Sequence, residues 1–221
     1  MIIVIDGPAG SGKSSTAKAL SNRLNLHFLD SGALYRAVTY FWISEGKPST
    51  ESFFKMLPGV DLKADVSDGS FLVMLNETDI SNEIRKSEVA DNVSNIASLP
   101  EVRQFVNSIM RDLVSNGEFI ADGRDLGTAV FPDADLKFYM DASIEERARR
   151  RYKELSSKQD NISFEDVVNN LKSRDQKDRS RKADPLKKAD DAIVINTTGK
   201  TFEEQVDLMA AIIHENLKLN H

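Results

Sequence analysis

The chain has 221 residues, of which 40% are hydrophobic and 29% are charged, and its formal net charge is −6. This length allows one domain with a full hydrophobic core, and the acidic balance excludes a general attraction to nucleic acid or membrane surfaces. The absence of cysteine excludes disulfides, thiolate zinc sites and a cysteine nucleophile, and it predicts a reducing, cytoplasmic location.

A phosphate-binding loop is predicted near the start of the chain. Residues 7–14 read Gly-Pro-Ala-Gly-Ser-Gly-Lys-Ser and match the pattern G-x-x-x-x-G-K-[ST] without a substitution. The apolar run 2–5 before the loop predicts a buried strand, and residues 15–20 after it predict a helix, which is the context that this pattern needs. The dinucleotide-binding fingerprint is excluded, because no third glycine follows Gly10-Ser11-Gly12 at the required spacing.

The residue types of this loop predict binding of a nucleoside triphosphate. Backbone N–H groups of a glycine-rich turn, together with the positive end of the following helix, attract phosphate groups. Lys13 is expected to reach the outer phosphates, and the Ser14 hydroxyl is a candidate ligand for Mg²⁺. The predicted ATP-binding residues are Gly7, Pro8, Ala9, Gly10, Ser11, Gly12, Lys13, Ser14 and Ser15.

Residues 26–114 predict one further strand, a small β-rich insertion and several helices. The predicted strands cover residues 26–29, 60–66, 71–75 and 80–84. The predicted helices cover residues 33–45, 51–57, 87–97 and 100–114. Ser31 is expected to cap the first of these helices.

Alternation of strand and helix resumes after Gly117. Strands are predicted at residues 119–122, 136–140 and 192–195, and helices at residues 144–155, at residues 163–184 and from Thr201. Five strands separated by helices predict a parallel α/β sheet with helices on both faces.

Two segments, residues 143–155 and 174–182, are strongly basic although the chain is acidic. The ordinary interpretation is two solvated helix faces. Within the second segment, however, Arg174, Asp178 and Arg181 have the spacing i, i+4, i+7, which places them on one stripe of a helix. Two guanidinium groups around a carboxylate could hold a phosphate and a sugar hydroxyl. An ordinary Arg174–Asp178 surface pair fits the spacing equally well, so both interpretations stay open.

The glycine-flanked loop at residues 122–128 is a further candidate site. It follows a predicted strand, and ligands bind at the carboxyl ends of strands in open α/β sheets. The sequence Asp-Gly-Arg-Asp-Leu-Gly-Thr therefore indicates backbone that lies close to a ligand. In the alternatives, Arg124 and Asp125 face water, or Asp125 only orients Arg124 through an ion pair.

Taken together, these segments occur in an order that resembles the bacterial-type cytidylate kinases. The resemblance rests on the phosphate loop, residues 30–36, residues 122–128 and residues 174–181, and residues 94–103 also fit the family pattern. It covers essentially the whole chain, and the four motifs together are far more specific than the phosphate loop alone.

The resemblance implies both a fold and a reaction. The implied fold is a P-loop NTPase-type parallel five-stranded sheet with helices on both faces, a β-rich NMP-binding insertion and a short lid. These parts would form a single kinase domain, with the core at about 1–57 and 115–221, the insertion at about 58–114 and the lid at about 150–165. The implied reaction transfers the γ-phosphate of ATP, with Mg²⁺, to CMP or dCMP.

The resemblance also implies roles for individual residues. The phosphate of CMP is assigned to Arg36, Arg124 and Arg181, and the sugar to Arg174 and Asp178. The cytosine is assigned to Ser94, Arg103 and Asp125, with Ser31 lining the same pocket. The implied catalytic residues are Lys13, Arg124 and Arg181.

Two other classes of phosphate-loop protein remain alternatives. An adenylate kinase typically carries the loop Asp-Gly-x-Pro-Arg, whereas residues 122–125 lack the proline. A regulatory NTPase that binds a protein partner needs no acceptor nucleotide, so it would not require Arg174, Asp178 and Arg181 on one helix stripe. The expected partners are small molecules, ATP and CMP or dCMP, with no nucleic acid and no membrane, and we expect a monomer.

Overall fold

A computed structural model describes residues 1–67, 70–156 and 162–217, and within them the chain alternates strands and helices. The strands are β1 Ile2–Asp6, β2 His27–Asp30, β3 Leu62–Ser67, β4 Ser70–Leu75, β5 Thr78–Asp79, β6 Phe119–Asp122, β7 Leu136–Asp141 and β8 Ile193–Asn196. The helices are α1 Lys13–Leu24, α2 Ser31–Ser44, α3 Thr50–Met56, α4 Ser87–Ile96, α5 Pro100–Val114, α6 Ile144–Ser156, α7 Phe164–Ser180 and α8 Phe202–Leu217.

Five of the strands form one sheet in the order β2-β6-β1-β7-β8, and every neighbouring pair is parallel. The predicted five-stranded parallel sheet is therefore confirmed. Each of these strands ends in an aspartate or asparagine, so polar side chains collect at the carboxyl edge. In β1, Ile3 and Ile5 pack into a core shared with α1 and α8, whereas Val4 packs into a second core shared with α2 and α5. Helices therefore cover both faces of the sheet.

The β-rich insertion is a separate antiparallel sheet of β3, β4 and β5. The predicted hairpin is confirmed, but the strand predicted at residues 80–84 is wrong. Ile84 N donates to Ile80 O at 3.1 Å, and both side chains are buried. Glu83–Arg85 form a short 3-10 turn here. Residues four apart share one face in a strand and in a helical turn, so the spacing of Ile80 and Ile84 did not distinguish the two.

The start of α2 and the end of α7 differ from the prediction. The Asp30 side chain, not Ser31, caps α2 by accepting from Ala33 N at 2.8 Å. Ser31 is the first helical residue, and its Oγ donates to Asp122 O at 2.6 Å. Helix α7 ends at Ser180, so Arg181 lies just beyond the helix, with a ψ of 144°, rather than on its stripe.

The predicted lid at residues 150–165 includes the end of α6 and the start of α7, and its residues 157–161 lie outside the described residues. Among the helices that the structure describes, none combines the length and apolar character needed to span a membrane.

Candidate active site

A cavity of about 130 Å³ opens at the carboxyl edge of the sheet, where β2 and β6 end. Ser14, at the start of α1, lines it together with Asp122, so the cavity adjoins the phosphate loop. Eight of the nine predicted acceptor-binding residues also line it: Ser31, Arg36, Ser94, Arg124, Asp125, Arg174, Asp178 and Arg181. Arg103, the ninth, is 1% exposed and lies behind Asp125.

A second, more open hollow of about 410 Å³ lies toward the amino end of β1. It is lined by Ile2, Arg111 and residues 130–134. None of the predicted site residues in the described part of the chain lines this hollow. The smaller cavity at the carboxyl edge is therefore the candidate active site.

The phosphate loop has the backbone that its glycines predict. Gly7 has a φ of 148° and Gly12 a φ of 95°, both in the region that favours glycine. A Cβ atom at Gly7 would lie 2.0 Å from the carbonyl oxygen of Met140, so the close contact with β7 requires glycine there. Helix α1 begins at Lys13, directly after the loop, and the free N–H groups of its first turn face the phosphate site.

Lys13 lies buried inside this loop. Its Nζ donates to Pro8 O at 2.6 Å and to Ser11 Oγ at 3.3 Å. Burial lowers the pKa of Lys13 well below its usual value, and the positive charge of Arg124 adds to this. A bound triphosphate would supply anionic oxygens and so favour the charged ammonium form. Lys13 can therefore serve as the loop's cation for phosphate.

Two charged side chains behind the loop hold its backbone and were not among the predicted site residues. Arg147 on α6 donates from Nη1 to Ala9 O at 2.9 Å and to Asp175 Oδ2 at 2.6 Å. Asp175 on α7 also accepts from Ala9 N at 3.3 Å. Both backbone polar groups of Ala9 are therefore fixed by the helices that flank the predicted lid. Arg147 is 6% exposed, so the basic segment 143–155 is not simply a solvated face.

Ser14 and Asp122 form a polar pair where a metal ion could join the phosphates. Ser14 Oγ donates to Asp122 Oδ2 at 2.5 Å. Within the described residues, the buried Asp122 Oδ1 has no hydrogen-bond partner. Hydroxyl and carboxylate oxygens suit Mg²⁺, which in kinases takes few protein ligands and binds substrate phosphates as well. The residues present therefore fit a magnesium ion held together with a nucleotide.

The same carboxylate should make the unliganded protein less stable at neutral pH. Burial raises the pKa of Asp122 to about 6, and Asp30 raises it further, whereas the hydrogen bond from Ser14 opposes the shift. A raised pKa means that the folded state binds this proton more tightly than the unfolded chain. The ionised carboxylate therefore destabilises the fold at neutral pH, and this cost disappears as the pH falls through 6 towards 4.

Asp122→Asn should consequently raise the unfolding midpoint by about 2–6 °C at pH 7.5, and the gain should shrink as the pH is lowered to 5. Thermal unfolding of both proteins without nucleotide, followed across this pH range, measures the difference. Asp133→Asn, at an exposed position, is the matched control and should show no such trend. A lower midpoint for Asp122→Asn at pH 7.5, or a difference independent of pH, would contradict the assignment.

Two arginines that line the cavity each keep one buried donor without a partner in the described part of the chain, although Arg36 Nη2 also donates to Asp30 Oδ2 at 3.0 Å. Among the described residues, Arg36 Nε and Arg174 Nε are buried without a hydrogen-bond partner. Burial lowers the pKa of Arg174 to about 10, and Arg124 adds to the effect, so the group is still charged at neutral pH. Buried donors of this kind are costly to leave unpaired. A nucleotide, with oxygen acceptors on both its phosphate and its sugar, would offer partners to both.

Asp178 pairs with one arginine of the cavity and lies close to a second. Arg124 Nε donates to Asp178 Oδ2 at 3.1 Å, and Arg181 Nη1 lies 3.8 Å from Asp178 Oδ1. No Arg174–Asp178 ion pair forms among the residues that the structure describes. The interpretation of Arg174 and Asp178 as an ordinary surface ion pair is therefore wrong. Their spacing instead places both side chains on one cavity wall.

Asp125 joins two arginines at the inner end of the cavity. Its Oδ2 accepts from Arg103 Nη2 and its Oδ1 accepts from Arg181 Nη2, the latter at 2.6 Å. Burial raises the pKa of Asp125, and the two arginines oppose that shift. The alternatives in which Asp125 faces water or only orients Arg124 are wrong, because Asp125 is 4% exposed and Arg124 pairs with Asp178.

A short π-helical turn, Leu126–Val130, follows Asp125 and fixes its position. Asp6, at the end of β1, accepts from Leu126 N at 2.9 Å and from Gly127 N at 2.7 Å. Burial raises the pKa of Asp6 to about 6, although these two backbone bonds oppose the shift. Asp6 also precedes Gly7, so one carboxylate connects the phosphate loop to the turn after Asp125. The apolar run 2–5 predicted the strand but gave no sign of this contact.

The fold and the site together define a phosphate-loop protein of the parallel α/β class. A parallel sheet carries a phosphate loop after β1, and an arginine-lined cavity with unpaired donors lies beside that loop. A solved gluconokinase from Sinorhizobium meliloti has a similar fold, with a TM-score of 0.51 and 13% sequence identity over 98% of this chain and 94% of that one.

Comparison with known sequences identifies the family. The family model described as cytidylate kinase matches residues 3–215. A cytidylate kinase from Pseudothermotoga lettingae is 43% identical over 218 residues, 99% of this chain and 96% of that protein. One from Carboxydothermus hydrogenoformans is 42% identical over 216 residues, 96% of this chain and 97% of that protein. The chain belongs to the cytidylate kinase family, and it is a nucleoside monophosphate kinase.

Proposed function

We propose that this protein transfers the γ-phosphate of ATP to CMP or dCMP and releases ADP with CDP or dCDP. The observation that carries the proposal is the pair of unpaired, buried donors Arg36 Nε and Arg174 Nε, which lie in one cavity with Ser14 of the phosphate loop. Such donors suit an acceptor nucleotide, whose phosphate would pair with Arg36 and whose sugar oxygens would pair with Arg174, beside the loop that would hold the donor phosphates.

On the donor side, the phosphate loop would hold the triphosphate. Its backbone N–H groups and Lys13 would neutralise the β- and γ-phosphate oxygens. Ser14 and Asp122 would hold Mg²⁺, which when bound supplies positive charge to the phosphate oxygens during transfer. Arg147 and Asp175 would keep the loop in shape, because they bind the backbone oxygen and N–H of Ala9.

On the acceptor side, Arg36, Arg124 and Arg181 would bind the phosphate of CMP. A phosphate oxygen of CMP attacks the γ-phosphorus, the bond from that phosphorus to the β–γ bridging oxygen breaks, and ADP leaves. The attacking oxygen already carries negative charge, so no strong base is needed. Positioning and charge neutralisation therefore account for the catalysis, with Lys13, Arg124 and Arg181 around the transferred group.

The base would be read at the inner end of the cavity. Asp125 accepts hydrogen bonds and donates none, so it suits the exocyclic amine of cytosine and opposes the carbonyl of uracil. Ser94 lines the same cavity and Arg103 lies directly behind Asp125, which supports their assignment to the base. Arg174 and Asp178 form the neighbouring wall, which supports their assignment to the sugar.

The proposal also assigns the parts of the chain. Residues 58–114 would form the acceptor-binding insertion, residues 150–165 the lid, and the remainder the core. Closing of the lid would exclude water and so prevent hydrolysis of ATP. We further propose that the enzyme works as a cytoplasmic monomer on small-molecule nucleotides.

A coupled assay of ADP release tests the acceptor. Rates with ATP and Mg²⁺ should be highest for CMP and dCMP and much lower for UMP, AMP and GMP. A preference for AMP would point instead to adenylate-type recognition. ADP release at one rate with every acceptor, or with none, would favour a regulatory NTPase.

A further inference from the structure

Four charged residues form a closed ring beside the cavity. Arg103 Nη2 donates to Asp125 Oδ2, and Arg181 Nη2 donates to Asp125 Oδ1 at 2.6 Å. The ring is completed by Asp184, whose Oδ2 accepts from Arg103 Nε at 2.7 Å and whose backbone oxygen accepts from Arg181 Nε at 2.7 Å. Asp184 therefore contacts both arginines, each through a different group.

The backbone at Asp184 is unusual. Its φ is 46°, in the left-handed region that few non-glycine residues adopt, and the next residue is proline. Residues held in such conformations are costly and collect at functional sites. Here the conformation turns the backbone oxygen towards Arg181 while the side chain reaches Arg103. The left-handed backbone at Asp184 therefore accompanies its two contacts, one with Arg181 and one with Arg103.

Asp184 restricts Arg103, a deeply buried arginine. The Arg103 side chain is 2% exposed, whereas that of Asp184 is 33% exposed. The Arg103 guanidinium carbon lies 5.3 Å from the centre of the Tyr35 ring, and its Nη1 donates to Ala97 O at 3.3 Å. With Asp125 and Asp184 on two edges and Tyr35 on one face, the plane of the guanidinium is fixed.

The ring also balances charge around Asp125. Asp125 faces two arginines, and Asp184 supplies a second negative charge within the ring, while Asp178 lies 3.8 Å from Arg181 outside it. Each Asp125 oxygen accepts from one guanidinium N–H, which leaves lone pairs for a further donor. Without Asp184, Arg103 would lose the carboxylate that fixes its Nε edge. The guanidinium group could then rotate, and its hydrogen bond to Asp125 would shift with it.

We propose that Asp184 is a positioning residue for the acceptor nucleotide. Its carboxylate holds Arg103 and Asp125 in register at the base end of the cavity, and its backbone oxygen holds Arg181 at the phosphate end. Selectivity for cytosine over uracil depends on this residue although it does not itself line the cavity. The inference rests on the proposed function, because it takes the acceptor to be a cytosine nucleotide.

Two variants separate the contacts of Asp184. Asp184→Gly removes the carboxylate but tolerates the left-handed backbone, so the contact with Arg181 is kept. Asp184→Asn keeps an acceptor for Arg103 Nε but removes the charge. Asp190→Asn, at a nearby exposed position, is the control. Steady-state kinetics with CMP and UMP, at saturating ATP and Mg²⁺, are compared with the unfolding midpoints.

For Asp184→Gly we expect the KM for CMP to rise on the order of tenfold and the CMP/UMP ratio of kcat/KM to fall by a similar factor. The KM for ATP should change by less than about twofold, which a general loss of structure would not produce. Asp184→Asn should fall between wild type and Asp184→Gly, and Asp190→Asn should match wild type.

An unchanged CMP/UMP ratio in both Asp184 variants would overturn the proposal, as would equal increases in the KM for CMP and for ATP. If Asp184→Gly does not fold, the ratio in Asp184→Asn decides alone. Failure of the proposed function is seen separately, because the wild-type enzyme would then show no preference for CMP, and the inference would fall with it.

Discussion

Replacing Lys13 by alanine should lower kcat by about 10²–10³-fold with ATP and CMP both saturating. Under the proposed function, Lys13 supplies the positive charge of the phosphate loop while the transferred group moves between two nucleotides. Without that charge, the backbone N–H groups and Mg²⁺ still bind the triphosphate, so the KM for ATP should rise much less than kcat falls.

The fold should survive this substitution. Lys13 is 4% exposed and its pKa is lowered by burial, so removing it also removes the cost of a buried ammonium group. The unfolding midpoint should therefore stay at or above that of wild type. Lys18→Ala, an exposed position on the same helix, is the matched control and should keep full activity. A Lys13→Ala enzyme within a few-fold of the wild-type rate would show that the loop is wrongly assigned.

Replacing Asp125 by alanine should affect stability and acceptor choice together. The substitution leaves Arg103 and Arg181 facing each other without the carboxylate that joins them. Breaking a buried ion pair by removing one partner typically destabilises a protein by about 3–5 kcal/mol. Chemical unfolding should show a loss of this size for Asp125→Ala and a smaller loss for Asp125→Asn, which still accepts a hydrogen bond.

The same change should make the enzyme less selective. In the proposed function the carboxylate accepts from the amine of cytosine and opposes the carbonyl of uracil, so its removal should lower kcat/KM for CMP far more than for UMP. The CMP/UMP ratio should shrink by about 10²-fold or more. Asp91→Asn, an exposed change on α4, is the control. Equal losses with both nucleotides would mean that Asp125 acts only through its two arginines.

The local parts of this structure could be predicted because single segments encode them. The phosphate loop, the strand before it and the helix after it are specified within residues 2–24, and the glycines have the backbone that the pattern requires. The hairpin of β3 and β4 is likewise local. The spacing of Arg174 and Asp178 also predicted correctly that they share one surface, because both lie within one helix.

The end of that helix could not be predicted in the same way. Extending the i, i+4, i+7 rule to Arg181 assumed a continuous helix up to Pro185. Instead the helix ends at Ser180, and Arg181 reaches the cavity from the following segment through Asp125 and the backbone oxygen of Asp184. These partners lie far apart in sequence or depend on an unusual backbone angle, so helical periodicity contains no signal for them.

Contacts between distant segments account for the other residues that sequence reasoning missed. Asp6 binds the turn after Asp125 across a separation of 120 residues. Arg147 and Asp175 meet at the phosphate loop from two different helices. A charged residue next to an apolar run, such as Asp6 after residues 2–5, is a sequence signal for a buried charge, and a buried charge needs a partner. Their partners become known only once the elements are packed.

Following the labelled γ-phosphate of ATP tests the central claim most directly. The enzyme is incubated with Mg²⁺, CMP and ATP that carries a radioactive γ-phosphate, and the products are separated. We predict that the label appears in CDP, that its amount equals the ADP formed, and that little is released as inorganic phosphate. Label recovered as inorganic phosphate at the same rate with or without CMP would contradict the account.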